Sequence, residues 1–137
     1  MQVRYGQSGD LDWLCENDIH VGKDWIKRCL GNQEYVVALQ DNKIIGFLRF
    51  SFFWGKIPYM DMVWVPEAGR KQGTGTALFN FWEAEMKKVG AKVLMTSSVI
   101  HELEPQTWHK KNGFQESGQL HFGNFDPTKE VFFIKNL

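Results

Sequence analysis

Hydrophobic and polar positions fall into short blocks along the chain, and the period of the blocks changes once. Residues 2–5 read as a short strand. Ser8 stands where a helix N-cap belongs, ahead of Leu11, Leu14, Cys15 and Ile19 on one helical face. A second helix over 23–30 carries Trp25, Ile26, Cys29 and Leu30 at helical spacing, which makes Trp25 a core residue, and Gly31 stops it. Three runs follow, 34–39, 43–53 and 57–65, rich in Val, Ile, Phe, Tyr and Trp and separated by Asp41-Asn42 and Gly55-Lys56. Connections this short require antiparallel neighbours.

The helical period then returns. Over 74–89, Leu78, Phe81, Trp82, Met86 and Val89 make an apolar stripe, with Glu83 and Lys87 on the wet side and Gly90 as the stop. Residues 92–97 read as a buried strand, parallel to the one ending at Val65 because a helix crosses over between them. Pro105 opens a short helix to Asn112, and 114–122 with 129–135 make a terminal hairpin. The order β-α-α-β-β-β-α-β-α-β-β describes an α/β sheet, antiparallel in its first half, with one strand-loop-helix crossover at its middle.

Composition narrows the function classes. At 137 residues the chain is expected to be one domain, 1–137. Lys+Arg 16 against Asp+Glu 16 exerts no general pull on nucleic acid or anionic lipid. No apolar run approaches the ~20 residues that span a bilayer, and Met1 leads straight into polar residues, so no targeting segment is expected. Cys15 and Cys29 lack CxxC spacing and read as two reduced thiols in a cytoplasmic protein. His20, His101 and His121 show no ligand spacing, and no metal is expected. An aromatic share of 15% is enough to fill a core and to line a pocket as well.

Chemistry concentrates in residues 59–78, YMDMVWVPEAGRKQGTGTAL. A strand runs into Pro66, and Arg70-Lys71-Gln72-Gly73-Thr74-Gly75 lies at the mouth of the long helix. The first amides of a helix have no internal partner and carry the positive end of the macrodipole. Glycines let the backbone approach a phosphate closely, and Arg70 and Lys71 add full charges, so the stretch has the makings of a pyrophosphate cradle. A glycine-rich turn that merely starts a helix fits the spacing equally well. A P-loop is excluded because no Lys follows Gly73 or Gly75, and a dinucleotide fingerprint because position 78 is Leu rather than Gly.

Arg70-x-x-Gly73-x-Gly75 with Leu78, after a strand ending Val65-Pro66, resembles the acetyl-CoA motif of the GNAT N-acetyltransferase superfamily. A second block, Trp108-His109-Lys110-Lys111-Asn112-Gly113-Phe114, is similar to that family's aromatic-Tyr-x-Lys-x-Gly-Phe signature, and the separation and strand order fit over nearly the whole chain. The resemblance implies a mixed, centrally splayed β-sheet of about six to seven strands flanked by about four helices. It implies acetyl-CoA as co-substrate, its pantetheine arm wedged between the strands ending at Val65 and Ser97. Backbone of Val63, Trp64 and Val65 would pair with that arm, and the amides of Arg70, Lys71, Gln72, Gly73, Thr74, Gly75 and Thr76 would hold the pyrophosphate.

The sequence departs from the family where a Tyr acid often stands, which is His109, and where a cofactor-contacting Asn often stands, which is Glu102. An imidazole is able to protonate the leaving thiolate; a packing role for His109 is the other reading. Asp61 alternates with Tyr59 and Val63 on one strand face and is the first candidate for general base, against the reading of a satisfied polar residue. Glu102 and Glu104 are lesser candidates. By analogy, the acceptor pocket would draw on Glu16, Asp18, Trp25, Phe52, Phe53, Trp54 and Tyr59, though 52–54 equally suits a sheet edge or a homodimer contact. The expected function is acetyl transfer to a primary amine of a small molecule or peptide by direct attack. The alternatives are a non-catalytic acyl-CoA-binding or sensing domain and, third, an interaction module.

Overall fold

A computed structural model describes all residues, 1–137. Seven strands form a mixed sheet in the order β1-β2-β3-β4-β5-β7-β6, accompanied by four α-helices. The elements are β1 (Gln2–Tyr5), α1 (Leu11–Asn17), α2 (Lys23–Gly31), β2 (Tyr35–Gln40), β3 (Lys43–Phe53), β4 (Ile57–Trp64), α3 (Thr74–Lys88), β5 (Val93–Val99), α4 (Leu103–Lys111), β6 (Gln115–His121) and β7 (Lys129–Asn136). β1 and β2 pair antiparallel, as do β2 and β3, while β4 and β5 pair parallel with Tyr59 opposite Met95 and Met60 opposite Thr96. The element order and the parallel step after the crossover helix thus follow the sequence pattern.

The chain forms two compact units, residues 1–50 with 62–85, and residues 51–61 with 86–137. In the first, the apolar faces of α1 and α2 bury Leu14, Ile26 and Cys29 against Tyr35, Val37, Leu39 and Phe47 of β2 and β3. α3 brings Trp82 against Phe50 and Phe79, with ring centroids 5.8 and 6.0 Å away. In the second unit β5 alternates strictly, with Leu94, Thr96 and Ser98 buried and the residues between them half-buried. That alternation gives the strand one packing face and one accessible face. α4, Phe114, Val131 and Phe133 lie on the packing side, while every residue of the edge strand β6 is exposed.

Three local expectations are corrected. Ser8 caps nothing: a 3-10 turn over Ser8–Asp10 precedes α1, and the Asp10 carboxylate accepts from the Gln7 amide and from Arg4, each at 2.8 Å. α1 ends at Asn17 and α3 at Lys88, so Ile19 and Val89 fall past the helices and are exposed. Trp25 lies 43% exposed, with the Arg28 guanidinium 4.8 Å from its ring, rather than in the core.

Asp18, just past α1, is fully buried. Its carboxylate accepts from Arg49 Nε at 2.7 Å and from the Tyr35 hydroxyl at 2.5 Å. This pairing ties the α1–α2 connection to β2 and β3. The carboxylate of Asp18, one of the acceptor-binding groups expected from the sequence, is thus engaged within the fold.

Candidate active site

The cradle belongs to the first unit. β4 ends at Trp64, and a short turn (Glu67–Gly69) carries the chain to Arg70, whose Nε donates to the Val65 carbonyl at 2.9 Å. That bond ties the loop back to the strand end. Lys71 and Gly73 both adopt left-handed backbone, φ 64° and 83°. A Cβ at Gly73 would meet nothing within 4 Å, so the loop is open on that side. The first helical bond of α3 runs from the Ala77 amide to the Gly73 carbonyl, which leaves the amides of Thr74, Gly75 and Thr76 in the unpaired first turn. Left-handed turns running into a helix N-terminus form a concave set of N–H donors suited to an anion. Thr74 is buried and anchors the turn; Arg70, Lys71, Gln72, Gly73 and Thr76 are exposed, and Val63, Trp64, Val65 and Gly75 half-buried.

Gly46 on β3 explains how the cradle is seated. A Cβ there would meet the Trp64 carbonyl oxygen at 3.1 Å and the Thr74 and Val65 methyl groups at 3.2 Å. All three neighbours belong to the strand end or the helix start. Gly46→Ala is therefore expected to shift the cradle by a few tenths of an ångström and to destabilise the fold by about 1–3 kcal/mol. Thermal melts read the loss, and an unchanged melting temperature would refute this seating.

The second unit holds both proposed catalytic residues, on opposite sides of its sheet. On the accessible face, Asp61 Oδ1 accepts from Ser51 Oγ at 3.1 Å, and the Tyr59 hydroxyl contacts Ser97 Oγ, which donates to Glu130 Oε2 at 2.7 Å. On the packing face, His109 Nε2 meets the neighbouring Ser98 hydroxyl at 2.9 Å. Its ring lies against Phe133 and Phe114, at 5.4 and 5.9 Å, and Nδ1 has no partner. Consecutive strand residues point to opposite faces, so Ser97 and Ser98 fix this separation.

Burial pushes the His109 imidazole down to about 4, so it is neutral at pH 7 and has little proton to give. Its burial against Phe114 and Phe133 favours the packing reading of His109 over its reading as the thiolate's acid. Glu102 stands exposed at the N-cap position of α4 without a side-chain capping bond, and Glu104 follows in the first turn, also exposed. Ser97 and Glu130 were missed in the sequence. The available signals were a polar run, Thr96-Ser97-Ser98, inside a strand, and a carboxylate alternating with Phe132 and Ile134.

Two depressions lie beside α1 and α2. One, of about 410 Å³, is bordered by Asp12, Cys15, Glu16 and Lys23. The other, of about 150 Å³, has Glu16 and His20 at the rim and Phe47, Met62 and Trp64 in its wall. Of the remaining aromatic candidates, Phe52, Phe53 and Trp54 are exposed at the β3–β4 turn, Trp54 by 78%. No group of three or more His, Cys, Asp or Glu is placed to hold a metal ion, and no helix is long and apolar enough to cross a membrane.

The mixed seven-stranded sheet, with a glycine-bearing turn at the β4–α3 junction and four helices, is the fold that the sequence resemblance implies. The family model for the Acetyltransferase (GNAT) family matches residues 10–114, and the chain belongs to that family. Among curated proteins none matches. Solved structures that it resembles include a GNAT-family acetyltransferase from Bacillus cereus, 22% identical over 98% of this chain and 96% of that one, with TM-score 0.81. A ribosomal-protein-alanine N-acetyltransferase from Brucella melitensis is 19% identical over 100% of both chains, with TM-score 0.83. A GNAT-family acetyltransferase from Elizabethkingia anophelis with acetyl-CoA bound is 18% identical over 99% and 97%, with TM-score 0.77.

Proposed function

We propose that residues 1–137 act as one N-acetyltransferase domain that moves an acetyl group from acetyl-CoA to a primary amine by direct attack. The observation that carries this reading is the cradle: two left-handed residues, Lys71 and Gly73, lead into the unpaired amides of Thr74, Gly75 and Thr76, with Arg70 tied to Val65. In this reading the amides of 70–76 hold the pyrophosphate, and Arg70 and Lys71 add charge beside it. Backbone groups of Val63, Trp64 and Val65 pair with the pantetheine arm, and an N–H near Val65 polarises the thioester carbonyl. The acetyl group is the electrophile, and the chain contributes no covalent nucleophile.

An amine must be neutral to attack, and Asp61 takes its proton, directly or through water. Asp61 suits this because it is a half-buried carboxylate on the accessible face of β4, two residues before Val63. The apolar part of the acceptor fits the wall of Trp64, Met62 and Phe47, with Glu16 available to a cationic group.

Thiol release from acetyl-CoA tests the reading, with spermidine and a peptide beginning in alanine as acceptors. The alanine peptide is chosen because the Brucella neighbour is an alanine N-acetyltransferase. Turnover above the uncatalysed rate is expected with at least one. Tight acetyl-CoA binding with no turnover over a broad amine panel would favour instead the non-catalytic acyl-CoA-binding domain, which the packing role of His109 brings forward.

A further inference from the structure

The accessible face of β4, β5 and β7 carries a continuous hydrogen-bonded chain from Tyr59 through Ser97 to Glu130, drawn from residues 38 and 33 positions apart. Its direction is fixed by simple counting. A serine hydroxyl has one hydrogen, and that of Ser97 goes to Glu130 Oε2 at 2.7 Å. Tyr59 must then donate to Ser97 Oγ, which leaves the lone pairs of Tyr59 Oη as acceptors. Tyr59 shares this face with Asp61, two residues along the strand, and Phe132 packs beside it with ring centroids 6.4 Å apart. All four polar residues are half-buried, within reach of solvent yet partly shielded from it.

We propose that Tyr59, Ser97 and Glu130 form a proton relay for acetyl transfer, with Tyr59 the catalytic residue and Ser97 and Glu130 the positioning residues behind it. The inference rests on the N-acetyltransferase reading and adds to it the handling of the second proton. An ammonium acceptor sheds two protons in becoming an amide. Asp61 takes the first before attack and returns it to solvent. The nitrogen lone pair then forms a bond to the carbonyl carbon, the carbonyl π pair moves to oxygen, and the nitrogen becomes cationic.

Its proton passes to Tyr59 Oη while the Tyr59 hydrogen moves to Ser97 Oγ and the Ser97 hydrogen to the Glu130 carboxylate. When the carbonyl re-forms, the C–S bond breaks with its electron pair on sulfur. The same path run backwards then delivers the proton from Glu130 to the thiolate. One proton ends in solvent and one on the CoA thiol, so no imidazole at position 109 is required. Burial first, opposed by the Ser97 hydrogen bond and reinforced by the negative charges of Asp61 and Glu130, holds the Tyr59 hydroxyl above its ordinary range. It therefore stays protonated and able to pass a hydrogen on.

The test compares wild type with Glu130→Gln, Ser97→Ala and the double variant, using acetyl-CoA with the alanine peptide or spermidine. Roughly ten- to hundredfold lower kcat is expected in each single variant, with the KM for acetyl-CoA unchanged. The double variant should be no slower than the slower single one, because the relay is broken once. A second readout needs no acceptor. In protein labelled with carbon-13 at the tyrosine Cζ, the one of three signals that disappears in Tyr59→Phe should titrate above free tyrosine and move to lower pH in Glu130→Gln.

A Glu130→Gln kcat within twofold of wild type, losses that multiply in the double variant, or a Tyr59 signal titrating like an exposed tyrosine would each overturn the relay. Wild-type protein that binds no acetyl-CoA would overturn the acetyltransferase reading itself. Binding and turnover that survive intact in Glu130→Gln would overturn the relay alone.

Discussion

Asp18→Ala is expected to lower the unfolding free energy by about 3–5 kcal/mol, because it removes the carboxylate that faces a buried, charged guanidinium. Arg49 has 8% of its side chain exposed and Asp18 none, and they meet at 2.7 Å. The Tyr35 hydroxyl, bound to the same carboxylate, would lose its acceptor as well. Natural domains hold only about 5–15 kcal/mol in total, so the loss is a large fraction of what the chain has. A melting temperature lower by roughly 10–20 °C follows for a chain of this size.

Arg49→Met should cost a comparable amount by stranding the carboxylate instead. The double variant Asp18→Asn with Arg49→Met should then lose less than the sum of its parts, since no unpaired charge is left. Chemical denaturation of the four proteins checks this. An Asp18→Ala loss under 1 kcal/mol, or strict additivity, would mean that the pair is not the tie described here. Because the tie ends in the α1–α2 connection, loss of Asp18 is also expected to loosen the wall of the smaller depression, whose lining includes Asp18.

His109 produces the second large effect, through pH. Its folded value lies down at about 4, against an ordinary value of 6.5, and burial is the cause. A group depressed on folding favours its neutral form in the fold. Its contribution is therefore whole above pH 6.5 and is lost as pH falls from there to about 4, at a total cost of about 3 kcal/mol. Below pH 4 both states are protonated, and no further loss comes from this residue.

Carboxylates such as Asp10, which Arg4 and the Gln7 amide hold below its usual range against the opposing effect of burial, add their own acid loss. A variant is needed to isolate the histidine. His109→Gln keeps a polar atom for Ser98 and has nothing to titrate. Urea unfolding from pH 7 to 4 should show a shallower loss in this variant by about 3 kcal/mol. Parallel curves for the two proteins would place His109 in solvent and reopen its reading as an acid.

The contrast between these residues marks what the sequence could convey. The change of period from 57–65 to 74–89, with glycines at the junction, announced the crossover and its cradle because every signal there is local. Asp18, by contrast, is fixed by Arg49, 31 residues away, and nothing near it separates a buried ion pair from a solvated loop carboxylate. His109 sits in WHKKNGF, whose lysines suggest a wet helix end; only the alternation of β5 reveals that it faces Phe133. Ile19 and Val89 carried the right residue type at the right spacing, but their helices stop one or two residues earlier. Tyr59 was legible as a face-sharing neighbour of Asp61, whereas its link to Glu130 passes through a third strand and needs tertiary register.

In the proposed function, the turn from Val65 into α3 is a cradle for the pyrophosphate of acetyl-CoA. Calorimetric titration of the chain with acetyl-CoA at pH 7 tests it most directly. Saturable heat at one site per chain is expected, with affinity reduced roughly tenfold or more in Arg70→Ala/Lys71→Ala, since each charge-assisted contact contributes about 1.5 kcal/mol or more. No heat and no thermal shift with the wild-type chain would contradict it.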